Sequence, residues 1–465
     1  MISRLAGFEL EIIRRDSHAW WSLLCLAALV FLSFASTSFD AARDDSDKRA
    51  VAAAERARWL GQGIKDPHSA AHYSIFAFKP SPTLSGLDPG IGPFVGQSVW
   101  LEAHHQNDLL NRPLQNATLL QRAGLGNPAS LLLTFAPLVV FLLAFVVVAQ
   151  DRERGSLRLA LGAASHPSAI IHAKALAIWG ASTGLLVLPA VAAEFVLAAV
   201  GGHISIDVFT RLSLWFALMA VYLALLSAIG IVVALRARDA RIALAMLFGF
   251  WIVAALVLPR AGSSAADTVR PLPSSQVVRQ QMLDEAAAYW TAEDTALHKA
   301  QLLTQYGVTR TEDIPNFRMA ELDMVERHSH QVFDRILGDF YEKVASQDRF
   351  FSALGFLSPT IAVQSLSASL SGSDFSHHHD FIVKAEGYRR ALVNRMNADG
   401  MAHRAEGDER HTNDERLWAQ IPTFAHIAPV LGSATGTTLP ALGALLLWLV
   451  GTWLLLSATA RRLRP

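Results

Sequence analysis

Three consecutive histidines, His377, His378 and His379, stand beside Asp380, with His403 and His411 downstream and His104 and His105 far upstream. Imidazoles near a carboxylate are the side chains that bind zinc or copper. Successive residues on a helix point about 100° apart, so a run of three cannot face one ion, and no His-Glu-x-x-His pairing occurs anywhere. Helix-start and packing roles are therefore expected for the run. His377, His378 and His379 remain weak metal candidates, and no metal site is expected. Cys25 is the one cysteine, which excludes an intrachain disulfide and a thiolate zinc site. The chain also lacks a Gly-x-Ser-x-Gly elbow, a Cys-x-x-Cys pair and a Gly-x-x-x-x-Gly-Lys phosphate loop. No catalytic residues, no enzyme activity of its own and no directly bound cofactor follow from those absences.

The elements around these residues are mostly apolar. Of 465 residues 52% are hydrophobic and 17% charged, with 40 basic and 40 acidic side chains in balance. A disordered or collagenous chain is excluded, and zero net charge gives no reason to expect nucleic acid as a partner. The apolar residues fall in blocks, each near the roughly 20 residues that span a bilayer. Six are expected: 17–39, 129–149, 174–200, 211–235, 242–259 and 439–458. The first is read as a retained anchor, because it is longer than a signal-peptide core and five more spans follow. Residues 1–16 form an amphipathic segment, with Ile2, Leu5, Ile12 and Ile13 towards membrane lipid and Arg4, Glu9, Glu11 and Arg14 towards water.

Lysines and arginines flanking the spans orient the chain. With the N-terminus inside, the inner segments, including the tail 459–465, carry thirteen of them, while the turn Gly201–Thr210 carries none. Two long segments, 40–128 and 260–438, then lie outside and are expected to pair into one domain. Helices are expected over Ala41–Leu60, over Gln276–Tyr306 closed by Gly307, from Pro315 through the spaced residues Leu322, Val325, Val332, Ile336, Phe340 and Val344, and over Phe375–His403. Prolines and glycines between Pro67 and Pro93 predict irregular or short-strand backbone. The expected fold class is an all-α polytopic membrane protein, six transmembrane helices with a mostly helical extracytoplasmic domain built from two insertions. Asn116-Ala117-Thr118 matches a glycosylation acceptor, a pattern too common to carry weight.

Inside, after the second span, runs Asp151-Arg152-Glu153-Arg154-Gly155-Ser156-Leu157, within an inner region 150–173. A charged, glycine-punctuated turn entering a short amphipathic helix either anchors the topology or offers a docking surface. The turn resembles the Glu-Arg-x-x-Gly-Thr-Leu signature after the second span in permeases of type-2 ABC exporters, with Ser156 in place of Thr. Leu357-Ser358-Pro359-Thr360-Ile361-Ala362-Val363-Gln364-Ser365-Leu366, followed by Gly372-Ser373-Asp374-Phe375-Ser376-His377-His378, looks like a functionally uncharacterised bacterial branch of that family, with large outer segments after spans one and five. The resemblance implies a permease subunit exporting or extracting a substrate across the bacterial inner membrane, with both termini cytoplasmic and the large domain periplasmic. It implies that Asp151 to Leu157 couple to a separate ATP-binding subunit that uses the ATP, and that a second permease subunit, identical or related, completes the path. Gly180 and Gly184, at i and i+4, are either a helix interface or incidental.

Two other classes compete. A secondary transporter needs ionisable residues within its spans, and Glu194 is the sole acid in an apolar stretch, near an outer end. A membrane-anchored sensor or metal-binding receptor with a large periplasmic domain explains the outer bulk and the histidines, but neither six spans nor the inner turn. Substrate-binding residues are not legible.

Overall fold

The computed structural model describes residues 2–82, 84–116, 125–164, 166–201, 205–403, 411–432 and 438–462. Among the described residues six helices are long and apolar enough to cross a membrane: Ser17–Leu60, Pro128–Glu153, Pro167–Val196, Ile206–Arg236, Ala240–Val269 and Leu439–Arg462. The protein is a multi-pass membrane protein, predominantly helical. Part of the Asn116–Thr118 acceptor lies outside the described residues.

The spans outrun the hydropathy blocks because a helix continues wherever backbone geometry and capping permit, whether or not its side chains are apolar. Span one is a single 44-residue helix, roughly 66 Å long at 1.5 Å per residue. The helix expected over Ala41–Leu60 is its continuation into the polar domain. Span three begins at Pro167, not at 174, because Pro is favoured in a first turn. Lys174 thereby moves from a flanking charge to a position inside the helix. Span five continues past Pro259 to Val269, into what had been expected as the second outer segment.

All six spans contribute to one apolar core, with Leu132, Val140, Ile171, Leu225 and Ala444 almost wholly buried. Span four packs tightly on span two, where a Cβ on Gly230 would lie 2.8 Å from the Ala144 Cβ. Gly180 and Gly184 make no such approach within the chain; nothing lies within 4 Å of a Cβ there. Two π-helical turns, Phe145–Ala149 in span two and Ile252–Val257 in span five, interrupt the regular ladder, a feature that often marks functional positions.

The segments after spans one and five fold together. Trp59 and Trp418 meet edge to face at 6.4 Å, and Trp59 Nε1 donates to the Trp418 carbonyl at 2.9 Å. The chain as a whole is helical, as an all-α polytopic membrane protein should be, and its polar part carries one small sheet among the described residues. Strands β1 (Ile75–Phe78), β2 (Ser98–Leu101) and β3 (Gln106–Leu110) form an antiparallel meander, with Ile75 opposite Leu101 and Val99 opposite Leu109. Its apolar face packs on Phe381, Ala385 and Leu392 of the helix Phe375–Ala402. β1 falls in the Pro67–Pro93 stretch where short-strand backbone is expected, whereas the alternation in β2 and β3 is too short to read as strands in sequence. The expected helix Gln276–Tyr306 is two helices, because Thr291 caps a second start at Ala292; Gly307, in the left-handed conformation, ends it as expected. Asn316 caps the 37-residue helix Phe317–Ala353.

The Ser358–Leu366 stretch belongs to the bundle rather than to the polar domain. The helix Pro359–Leu370 buries Ile361, Ala362 and Val363 completely. Thr360 hydrogen-bonds Tyr222 of span four at 3.0 Å, and Ser358 donates to the Ala254 carbonyl in the π turn of span five at 2.7 Å. Arg211 donates to the last carbonyls of this helix, Ser369 and Leu370, and to that of Pro429, a cation where the helix dipole is negative.

Candidate functional site

Gly155 has φ +78°, with open space around it. That backbone ends the helix of span two and starts the eight-residue helix Ser156–Ala163; an L side chain there costs about 1–2 kcal/mol. Leu157 and Leu161 fall on one face and are buried, at 4% and 5% exposure. Leu159 lies opposite, 77% exposed, between the exposed Arg158 and Ala160.

The seven residues of the coupling expectation do not act alike. Asp151 holds Lys174 at 2.8 Å and accepts from Ser156 Oγ at 3.0 Å. Arg152 donates to the carbonyls of Ala234, Leu235 and Arg238 at the end of span four. Glu153 Oε1 accepts from the Ala240 backbone N–H at 3.2 Å, the first helical residue of span five. Asp151 ties the turn to span three, Arg152 and Glu153 tie it to the junction of spans four and five, and Leu157 fills the core behind them. Arg154 is exposed and touches only Gln150, at 3.4 Å. Arg154, Arg158 and Leu159 are exposed on the outside of the turn. Both Arg158 and Leu159 stand just beyond the seven, Leu159 on the face opposite Leu157 and Arg158 on the flank; helical spacing from the buried Leu157 and Leu161 is the signal for them.

Lys174, 2% exposed, also holds Glu9 at 2.8 Å and donates to the Val147 carbonyl at 2.9 Å inside the π turn. The N-terminal helix Ile2–Arg15 is thus pinned to spans two and three. The expectation that Glu9 faces water is corrected, since one partner inside the fold outweighs exposure. Ile13, expected towards lipid, is instead buried in the apolar core of the bundle at 2% exposure, whereas Phe8 is exposed at 72%.

A cavity of about 310 Å³ opens where span one leaves the bundle, lined by Thr37, Asp40, Asp44, Ser81, Gln97 and Asn127 among others. Its walls mix apolar ring faces with carboxylate and amide groups, the make-up of a small-ligand pocket.

The run of three histidines diverges, as helical spacing dictates. His377 binds Asp374, which also caps the helix. His378 faces Lys79 at 3.2 Å; burial, with that lysine's charge, holds it down at about 3. Burial, with Lys48 nearby, lowers Lys79 to about 8. His379 lies against Tyr341 and Phe375, and Asp380 pairs with Lys384 and His426. His403 stacks on His411 at 3.7 Å, and His411 meets Asp399. His104 instead joins two histidines that sequence reasoning passed over, His68 and His72; their i, i+4 spacing on one helix face was the available signal.

Residues 276–427 match a family model described as Domain of unknown function (DUF3526). That stretch holds most of the chain between spans five and six, including the helices Phe317–Ala353 and Phe375–Ala402 and the bundle helix Pro359–Leu370. No curated protein and no solved structure matches the chain.

Proposed function

We propose that this protein is the membrane-spanning permease subunit of an ATP-driven ABC exporter, coupled to a separate ATP-binding subunit through the turn after span two. The observation that carries the reading is the division of labour in that turn. Asp151, Arg152 and Glu153 fasten it to spans three, four and five, so a force applied to Arg154, Arg158 and Leu159 reaches three spans at once. A rigidly held short helix presenting one apolar residue among arginines suits a protein partner better than a topological anchor, which needs positive charge alone. A second permease subunit, of the same or a related chain, completes the path. Gly180 and Gly184, open on the surface of span three, are the face proposed for it. The cavity at Asp40 and Asp44 is the proposed substrate pocket on the periplasmic side of the bacterial inner membrane.

Glu153→Ala does not separate docking from anchoring, because Glu153 supports span five. Leu159→Asp does: it leaves every basic residue and every internal hydrogen bond in place. ATPase encoded beside this gene should co-purify at least about tenfold less with Leu159→Asp, a loss of roughly 1.4 kcal/mol, while insertion stays normal. Full recovery of the ATPase with both Leu159→Asp and Arg154→Glu would reject the coupling surface. The orientation has its own check. In a Cys25→Ala background, cysteine at Ser274 should label with a membrane-impermeant thiol reagent in intact cells and cysteine at Ser156 should not; the reverse pattern would invert the topology.

One observation favours a second reading, a membrane-anchored metal-binding receptor: three imidazoles converge in the polar domain. It leaves the inner turn without a role.

A further inference from the structure

His68 and His72 stand one helical turn apart on Pro67–His72, and His104 reaches them from the turn between β2 and β3. His72 Nε2 lies 3.0 Å from His68 Nε2 and 3.1 Å from His104 Nε2. All three ligand atoms fall within 4.8 Å of one another. Two nitrogens bound tetrahedrally to one zinc ion, each at 2.0–2.1 Å, stand about 3.3 Å apart. The His72 nitrogen lies near that spacing from both others, its ring edge to face with each, while His68 and His104 are tilted to one another, all centroids 4.6 to 5.0 Å apart.

The far sides of two rings are already engaged. His104 Nδ1 lies 2.9 Å from Glu326 Oε1, a carboxylate only 5% exposed. His68 Nδ1 lies 3.3 Å from Asn397 Oδ1. Asn397, wholly buried, donates its amide to the other oxygen of Glu326, which fixes the amide so that Oδ1 faces His68. Both Nδ1 atoms therefore carry the proton, and Nε2 of His68 and of His104 each present a lone pair. His72 has one Nε2 proton at most and can satisfy only one of them. A cation satisfies all three.

We propose that His68, His72 and His104 bind one borderline divalent transition-metal ion, of the zinc and copper class, with its fourth position open to an exchangeable ligand. Three neutral imidazoles without thiolate suit that class. The carboxylate behind His104 and the amide behind His68 are the outer partners that orient metal-binding histidines and raise their basicity. The fourth position opens outward, because His72 is exposed and, among the described residues, no fourth His, Cys, Asp or Glu joins the group. Helix Pro67–His72 and the β2–β3 turn come from the first polar segment, while Glu326 and Asn397 come from the second. Bound metal thus reports on how the two segments sit together. The inference stands on this geometry and not on the ATP-driven reading above.

The test uses the full chain in detergent, stripped with a chelator and titrated separately with Zn2+ and Cu2+. Wild type should retain one ion per chain after gel filtration, and the metal's X-ray absorption should show three imidazole nitrogens near 2.0 Å. His72→Ala and His104→Ala should each lose that ion, and Glu326→Gln should weaken it about 10- to 100-fold. His403→Ala, in the other histidine cluster, should keep it. His72 is exposed, so its replacement leaves the fold intact, which circular dichroism checks. No stoichiometric ion in wild type would overturn the site, as would an ion that survives both His72→Ala and His104→Ala or that departs with His403→Ala.

Discussion

Replacing Arg389 by alanine should destabilise the polar domain by up to about 3–5 kcal/mol, the usual effect of breaking a buried ion pair, with Arg390 left as the partner of Glu386. Arg389 is 1% exposed. It forks onto Glu386 through Nε and Nη2 at 2.8 and 2.7 Å, and Nη1 donates to the carbonyls of Glu102 and Ala103 at 3.1 and 2.6 Å. One side chain thus fastens the second segment's helix to the first segment's strand turn, directly before His104. Arg389→Lys should recover little, because an ammonium cannot reproduce the planar fork. Hydrogen exchange across 98–110 reads the effect, and protection within about 1 kcal/mol of wild type would show that the fork is dispensable.

The same pair predicts acid sensitivity. Burial opposes the charge on Glu386, but the hydrogen bonds and charges of Arg389 and Arg390 outweigh it and hold the carboxyl below the usual carboxylate range. A depressed native value contributes stability above the unfolded value, near 4.3, and that contribution is lost as pH falls through the native value. Wild type should therefore keep its protection to below about pH 4, and Arg389→Ala should lose it at higher pH.

Lys174→Met should release the N-terminal helix, again at a cost on the order of 3–5 kcal/mol. All three ammonium protons are used, on Glu9, Asp151 and the Val147 carbonyl, and removing them leaves two carboxylates facing each other. In a Cys25→Ala background, Ile13→Cys should be protected from thiol reagents while Lys174 is present, since Ile13 is 2% exposed, and should react once it is replaced. Burial already pushes Glu9 above the usual range against the pull of Lys174. Without that pull the native value rises further, so stability is greatest below the unfolded value and is lost as pH rises through the native one. The defect should ease in acid, and unchanged Ile13→Cys protection at neutral pH would remove Lys174 from its bracing role. Lys174→Met combined with Glu9→Gln and Asp151→Asn should restore much of the docking, because no unpaired charge remains.

The sequence by itself determined the features that depend on neighbours a few residues apart. Apolar blocks long enough to span a bilayer, the i, i+4 spacing along Phe317–Ala353, the left-handed stops at Gly155 and Gly307 and the divergence of His377, His378 and His379 all follow from local backbone geometry. Tertiary structure alone decided which charges are solvated and which are spent internally. Lys174, Glu9 and Asp151 read as flanking charges until packing brings a π turn, an amphipathic helix and span three together. Glu153 reads as surface until it caps span five. His68, His72 and His104 are separated by a strand pair's worth of chain, and their outer partners Glu326 and Asn397 lie more than two hundred residues further on. Spacing in sequence places a side chain on its own helix; only the docking of the two polar segments through the Arg389 fork and the Trp59–Trp418 core decides what it meets there.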